Sequence, residues 1–222
     1  PRWVQIGVLL AAAIFLYMSN SKTSFGLGVA ALSLGALFLR YDRKYRNVLM
    51  ILVCLGAVAA ILLEAIYQNP LAGQFSDPKA FTGRVEIWNA LMRFALDHPL
   101  LGAGYGSFWN IGPESPIYAY ASGEITEVPN GHNGYLDILV QLGFPGLLLI
   151  VAVAVVVPVR RLLSSPITSG QKGALLMALF LFCIGHNATE SSLFDRDMLV
   201  WVMLMIAMAL SQPNLILYSR AR

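Results

Sequence analysis

Long apolar stretches dominate this sequence, and they restrict the folds that the chain can adopt. Of its 222 residues 57% are hydrophobic and 12% are charged, whereas a soluble domain carries about 25% charged residues. Because a helix needs about 20 apolar residues to cross the hydrocarbon core of a bilayer, we predict an all-α, polytopic transmembrane helix bundle. About six spans are expected, over Trp3–Met18, Phe25–Leu39, Val48–Tyr67, Gly134–Val159, Gly173–Ala188 and Met198–Leu210.

The positions of lysine and arginine indicate how these spans are oriented. Ten of the 15 basic residues flank the predicted spans on one side of the bilayer: Arg2, Arg40, Arg43, Lys44, Arg46, Arg160, Arg161, Lys172, Arg220 and Arg222. Since cytoplasmic loops are enriched in Lys and Arg, this side is predicted to be the cytoplasm. The long segment 68–132 then lies on the other side, and we expect it to be an extracytoplasmic catalytic loop.

The net charge, the cysteines and the start of the sequence each bear on the class of protein. The net charge of +3 comes from residues that flank membrane spans, so it does not indicate a nucleic-acid partner. Cys54 and Cys183 lie within apolar runs, where a thiol behaves as a small hydrophobe. The chain begins at Pro1 without the layout of a signal peptide. We interpret residues 1–222 as a single membrane domain that is a piece of a longer chain.

Within the segment 68–132, residues 84–97 have the pattern of an amphipathic helix of about four turns. Thr82 is a suitable N-cap, and His98-Pro99 is a typical stop. The polar side chains fall on one narrow stripe, which consists of Glu86, Asn89, Arg93 and Asp97. Such a helix is suited to lie at the membrane interface with its apolar face toward the lipid.

The two arginines of this helix have different surroundings. Arg93 shares its stripe with Glu86 and Asp97, which favours a solvated ion pair. Arg84 points into the middle of the apolar face, next to Trp88. Its planar guanidinium either binds an anion such as phosphate or extends its charged end to the interface.

The next motif alternates glycine with other residues, at Gly102, Gly104 and Gly106. Its spacing differs from the G-x-G-x-x-G dinucleotide fingerprint, and no strand precedes it. The motif indicates either a plain turn or a backbone path whose amides cradle an anion. The same loop contains the aromatic side chains of Tyr105, Phe108, Trp109, Tyr118 and Tyr120. They are suited either to an interfacial belt or to packing against the faces of sugar rings.

His132 precedes the fourth predicted span. Its imidazole is a candidate general base at neutral pH, although a capping role is the common alternative for an interfacial histidine. His186, one turn before Glu190, is a rival base. Asp137 and Gln141 lie one turn apart on the fourth span, and we predict that they hydrogen-bond between helices, with Lys22 as a further partner for Asp137.

Further polar groups fall on the same predicted side of the membrane. Ser21, Lys22 and Thr23 lie between the first two spans, where hydroxyls, an ammonium and helix N–H groups make a candidate anion site. Arg196 lies between Asp195 and Asp197, which favours a structural role. We find no carboxylate cluster and no histidine pair with ligand spacing, so neither a metal nor another cofactor is predicted.

Several of these motifs together resemble the O-antigen ligase and Wzy-type polymerase family, which includes exopolysaccharide-production polymerases. The resemblance rests on Gly83–Trp88, His98–Phe108, His132–Leu136 and Gly143–Gly146. Ser21-Lys22-Thr23 is similar to the family's Ser-Arg-Thr, and Asn187–Ser191 is similar to its weaker C-terminal motif. Lys22 replaces the usual arginine, and Gln141 stands where the family often has glutamate.

The resemblance implies a glycosyltransferase of the GT-C type in the bacterial inner membrane, of which this chain is the C-terminal part. We expect the reaction to be metal-independent, because the sequence shows no set of metal-ligating residues, and to invert the configuration of the sugar. The implied donor is a glycan on undecaprenyl diphosphate, and the implied acceptor is a glycan or lipid A-core, in contact with membrane lipid. Arg84 would hold the diphosphate, and His132 would activate the acceptor hydroxyl. We further predict that substrate is bound by Lys22, Gly104, Gly106, Asn133 and Tyr135. Secondary candidates for the site are Ser21, Thr23, Arg93, His186 and Glu190.

Two other classes of function remain open at this point. A transporter or flippase component would use Arg84, Lys22 and Asp137 to line a path for an anionic lipid, and it would need polar midplane residues in several spans. A non-catalytic membrane subunit would need none of these residues for chemistry.

Overall fold

The computed structural model of the chain describes residues 2–18, 21–40, 45, 84–164 and 170–212. These residues form helices and contain no strand. Helices α1 (Arg2–Met18) and α2 (Lys22–Arg40) come first, followed by α3 (Arg84–Asp97). After a loop with three short 3₁₀ turns come α4 (Gly134–Val151), a π-helical turn (Ala152–Val156), α5 (Val157–Ser164), α6 (Gly170–His186) and α7 (Leu199–Leu210).

The all-helical prediction is confirmed for the described residues. The helical segment Gly134–Ser164 has 31 residues and is long and apolar enough to cross a membrane. The other apolar helices in the described part are shorter, and they cover Thr23–Leu37, Gly170–His186 and Leu199–Leu210. The predicted third span, Val48–Tyr67, and the predicted N-cap Thr82 lie outside the described residues.

Helices α2 and α6 pack closely and run antiparallel. A Cβ atom on Gly35 would lie 2.8 Å from the carbonyl oxygen of Ala174 and 2.9 Å from Cβ of Ala178. At the other end of the pair, a Cβ atom on Gly185 would lie 2.8 Å from a methyl group of Leu27. Small residues let helix backbones approach in this way inside a membrane. The packing places the start of α2 at the same end of the bundle as the end of α6.

Helix α4 contains a break at Gly143, where φ is 68° and ψ is −176°. Pro145 follows two residues later and has no N–H group with which to bond the carbonyl of Gln141. The amide of Phe144 leaves the helix and donates to the carbonyl oxygen of Pro99 at 2.8 Å. The break therefore frees two α4 carbonyls and attaches the end of the α3 segment to α4.

The bounds predicted for α3 are confirmed, and its apolar face packs against protein. Ile87, Leu91 and Phe94 are buried on this face. They pack in a cluster with Phe108 of the following loop and Leu139 of α4. The aromatic loop folds back over α3, so this face is not turned toward lipid, and the position of the helix at the membrane interface stays a prediction.

Candidate active site

The glycine-rich loop is anchored to the break in α4. The amides of Ala103 and Gly104 donate to the carbonyl oxygens of Val140 and Gln141 at 2.8 and 2.9 Å. The amide of Gly106 donates to Oε1 of Gln141 at 2.7 Å. These bonds satisfy the carbonyls that the break leaves without helical partners. The amides of Gly104 and Gly106 are occupied and both residues have positive φ, which agrees with a plain turn. Their predicted contact with substrate stays a prediction.

Two residues predicted to bind substrate instead fix the start of α4. Asn133 is the N-cap, and its side-chain oxygen accepts from the amides of Tyr135 and Leu136 at 3.1 and 3.2 Å. The hydroxyl of Tyr135 donates to the carbonyl of Ile184 at 2.7 Å, which ties α4 to α6. These contacts give both side chains a structural role in this structure.

Arg84 and His132 meet at one carboxylate. Nη2 of Arg84 donates to Oε1 of Glu190 at 2.8 Å, and Nδ1 of His132 lies 3.3 Å from Oε2 of the same residue. The other terminal nitrogen of Arg84 donates to the carbonyl oxygen of Thr189. The side chains of Arg84, His132 and Glu190 are 20%, 32% and 35% exposed, so this cluster is open to a ligand on one side.

The backbone of His132 has a conformation that side chains rarely adopt. Its φ is 49°, in the left-handed region. The amide of His132 donates to Oδ1 of Asn130 at 3.0 Å, which helps to hold this turn. Such strain persists only where neighbouring contacts enforce it, and it is often found at functional sites. In the tautomer that carries its proton on Nδ1, this nitrogen donates to Glu190, and Nε2 is the ring nitrogen that can accept a proton.

Asp137 forms hydrogen bonds with residues that lie around His132. It is buried, with 7% of its surface exposed, and accepts from the indole of Trp109 and the amide of Gly131, both at 2.9 Å. It also accepts from the hydroxyl of Ser191. Its partners therefore come from loops, and the predicted bonds of Asp137 and Gln141 to another spanning helix are corrected.

Gly134 joins the start of α4 to the turn that carries Glu190. Its amide donates to the carbonyl oxygens of Asn187 and Glu190 at 2.8 and 3.2 Å. A Cβ atom here would collide with Oδ1 of Asn187. That oxygen already accepts from the amide and hydroxyl of Ser192, at 3.0 and 2.9 Å.

We expect Gly134→Ala to lower the free energy of unfolding by about 1–3 kcal/mol, since the added methyl group overpacks the junction with Asn187. The change in melting temperature of the purified protein measures this. Gly26→Ala is the matched control, because a Cβ atom on this helical glycine meets nothing within 4 Å. Alanine there should be neutral or slightly stabilising. Equal melting temperatures for the two variants would contradict the assigned role of Gly134.

The charge state of Glu190 follows from its neighbours. Burial opposes ionisation of the carboxyl, but hydrogen bonds and charge interactions with Arg84 and His132 outweigh burial and lower the pKa of Glu190. The carboxylate is therefore charged at neutral pH and pairs with Arg84.

We expect this ion pair to stabilise the folded protein at neutral pH and to fail in acid. Because the pKa of Glu190 is lower in the folded state, the stabilisation is present above the normal glutamate value of about 4.3 and is lost as pH falls through the lowered pKa. The side chains are partly exposed, so about 1 kcal/mol is the upper bound. The melting-temperature difference between wild type and Glu190→Gln should shrink toward zero in acid, and a pH-independent difference would refute the pairing.

The remaining predicted residues lie at or around this cluster. His186 ends α6, and its buried Nδ1 has no hydrogen-bond partner among the described residues. The hydroxyl of Ser21 donates to Ser24 at 2.8 Å, at the start of α2. Thr23 is exposed in the first turn of the same helix. The side chain of Lys22 lies outside the described part of the structure, so its predicted contact with Asp137 stays a prediction.

Arg93 does not form the predicted ion pair. Its Nη2 donates to the carbonyl oxygen of Tyr120 at 2.7 Å, and the hydroxyl of Tyr120 donates to Asp97 at 2.8 Å. The loop aromatic thus replaces Asp97 as the partner of Arg93. Arg196 makes only a distant contact, 3.9 Å from Asp197, and its side chain is 93% exposed.

Sequence reasoning underestimated Glu190 and Asp137. Glu190 was a secondary candidate, yet it is the group that joins Arg84 to His132. Its position 58 residues beyond His132 gives no local signal of this contact. Asp137 carries a weak signal, since a carboxylate in the first turn of an apolar helix is costly and usually has specific partners.

Comparisons with known proteins agree on one family. The family model described as O-antigen ligase matches residues 7–151, which include Arg84 and His132 and end before Glu190. The exopolysaccharide production protein ExoQ of Rhizobium meliloti (strain 1021) is 29% identical over 168 residues. This match covers 71% of the present chain and 39% of ExoQ, so the chain spans well under half of that relative's length. No solved structure matches the chain.

The family match confirms the resemblance drawn from the motifs. It covers more than half of the chain and includes the stretch from α1 to the end of α4. Together with the long apolar helix Gly134–Ser164, it indicates a bacterial membrane protein with a role in polysaccharide biosynthesis. The chain belongs to the O-antigen ligase family.

Proposed function

We propose that the chain carries the active site of a multi-pass glycosyltransferase of the GT-C type in the bacterial inner membrane. The enzyme would move or polymerise a glycan from undecaprenyl diphosphate onto an acceptor sugar hydroxyl or lipid A-core, at the extracytoplasmic face. The observation that carries this proposal is the meeting of Arg84 and His132 at Glu190. A cation and a neutral base beside one open surface are the groups that this reaction needs.

Arg84 would bind the diphosphate that leaves the donor. Departure of the lipid diphosphate leaves negative charge on its oxygens, and a planar guanidinium can donate two parallel hydrogen bonds to them. Here the two terminal nitrogens bond different groups, Nη2 the carboxylate of Glu190 and Nη1 the carbonyl of Thr189. A phosphate would take the place of Glu190 at Nη2, and it would have to displace Thr189 to engage both nitrogens.

His132 would act as the base for the acceptor hydroxyl. Its Nε2 would remove the proton of the acceptor hydroxyl while that oxygen forms a bond to the anomeric carbon of the donor sugar. The bond from this carbon to the diphosphate oxygen breaks on the opposite side, which inverts the configuration. Glu190 is a positioning residue in this scheme, since it holds Nδ1 and stabilises the imidazolium that forms.

Binding of the donor would then exchange the partners of Glu190. A diphosphate carries more charge than a carboxylate, so it would displace Glu190 from Arg84 and leave the carboxylate with His132 alone. The carboxylate of Glu190 would pair with His132 alone only after the donor is bound. This order suits a transferase that has to avoid activating water before the donor arrives.

Product formation is the experiment that tests the proposal. The intact protein, reconstituted in vesicles, is given a glycan linked to undecaprenyl diphosphate together with an acceptor glycan. We expect a larger glycan in which donor and acceptor are covalently joined, and release of undecaprenyl diphosphate, also when a chelator is present. Movement of the lipid-linked glycan across the vesicle membrane without a covalent product would favour a transporter and refute the proposal.

A further inference from the structure

A groove of about 920 Å³ lies between the polar face of α3 and residues 119–125. Its size falls in the range of ligand pockets, about 300–1,000 Å³. The α3 wall carries Glu86, Asn89 and Arg93, and the opposite wall carries Tyr120 and Ser122. None of these groups takes part in the mechanism proposed above.

Bonds between the two walls hold the groove in shape. Arg93 donates to the carbonyl of Tyr120 at 2.7 Å, and the Tyr120 hydroxyl donates to Asp97 at 2.8 Å. The ring of Tyr120 also packs edge-on against Phe94, with centroids 5.4 Å apart. A groove that is formed in advance costs a ligand less ordering on binding.

We propose that this groove binds the acceptor glycan, an inference that rests on the proposed function. A sugar ring presents hydroxyls at its edge and C–H groups on its faces. The groove offers the carboxylate of Glu86, the amide of Asn89 and the hydroxyl of Ser122 beside the apolar side chains of Met92 and Ile125. The cation of Arg93 is engaged by the carbonyl of Tyr120 and shares the α3 wall with the carboxylate of Glu86, so the lining disfavours a diphosphate.

The walls of the groove are the two stretches of chain that carry the site residues. Helix α3 begins at Arg84, two residues before Glu86. The opposite wall continues from residue 125 to His132, and the indole of Trp88 donates to the carbonyl of Gly131 at 2.8 Å, which fastens this stretch to α3. A glycan in the groove therefore lies along the same two segments that end at the proposed base and the proposed diphosphate site.

A binding measurement tests the groove apart from transfer. The probe is the oligosaccharide repeat of the producing strain's own polysaccharide, freed of lipid and diphosphate and titrated calorimetrically into the intact protein in lipid nanodiscs. We expect Glu86→Ala, Asn89→Ala and Ser122→Ala each to weaken binding by about tenfold, the loss typical of hydrogen bonds to such groups. Alanine is the best helix former, so the two α3 changes do not destabilise the helix.

Two controls make the result specific. Arg196→Ala removes an exposed cation outside the groove and should bind the probe as wild type does. Glu114→Ala removes an exposed carboxylate of the same loop outside the groove and should also leave binding unchanged. Wild-type affinity in all three groove variants, or no binding of the probe to the wild type, would overturn the proposal. Since no turnover is needed, the outcome does not depend on whether the protein transfers glycan.

Discussion

Replacement of His132 by asparagine is expected to reduce glycan transfer by about 10²–10⁴-fold, the usual contribution of a general base. Asparagine is the informative substitute because it tolerates the left-handed conformation that His132 adopts at φ 49°. The turn and the N-cap at Asn133 should therefore survive, and the loss should fall on the chemical step. Initial rates of product formation at saturating donor measure the effect.

Two further histidine variants separate catalysis from structure. His98 follows α3 and its ring contacts Phe94, with centroids 4.5 Å apart, away from the cluster around Glu190. His98→Asn should keep wild-type rates. His186→Asn tests the rival base, whose Nδ1 is buried without a partner among the described residues. A large loss in His186→Asn together with full activity in His132→Asn would move the base to the end of α6.

Local sequence signals predicted α3 well. A helix-period stripe of polar residues and a His-Pro stop fix its bounds, and the structure reproduces Arg84–Asp97. Whether an apolar face meets lipid or protein depends on segments far away in sequence. Phe108 and Leu139 cover that face here, and the periodicity of α3 contains no information about them.

The glycine-rich loop shows a signal that sequence reasoning did not use. Pro145 lies four residues after Gln141, so the carbonyl of Gln141 cannot have a helical N–H partner. An orphan carbonyl within a spanning helix needs a donor from elsewhere. The amide of Gly104 supplies it. Gly102 approaches the backbone of α4 closely, and positive φ accounts for glycine at positions 102, 104 and 106.

The sequence predicted that Arg84 needs an anionic partner, but only the fold shows which residue provides it. Arg84 was singled out because a guanidinium on an apolar face needs an anion, and the structure supplies one in Glu190. The contact joins residues 106 positions apart in the chain. Its formation depends on the antiparallel packing of α6 and on the Gly134 junction, neither of which has a sequence pattern of its own.

Loss of the guanidinium in Arg84→Ala is expected to lower the transfer rate by about 10²–10³-fold, as removal of one preorganised donor to a developing negative charge typically does. Arg84→Lys should lie between this variant and the wild type, because it keeps the charge but not the two-pronged fork. Arg196→Ala is the matched control, since that arginine is 93% exposed and makes only a distant contact with Asp197. It should retain the wild-type rate.

Arg84→Ala also leaves the carboxylate of Glu190 unpaired beside His132, and this charge is a second cause of lost activity besides the missing cation. The double variant Arg84→Ala/Glu190→Gln distinguishes the two causes, because it removes that unpaired carboxylate. If Arg84 serves the diphosphate, the double variant stays as slow as the single one. Recovery of the rate in the double variant would show that Arg84 acts only by neutralising Glu190, and the diphosphate role would then be wrong.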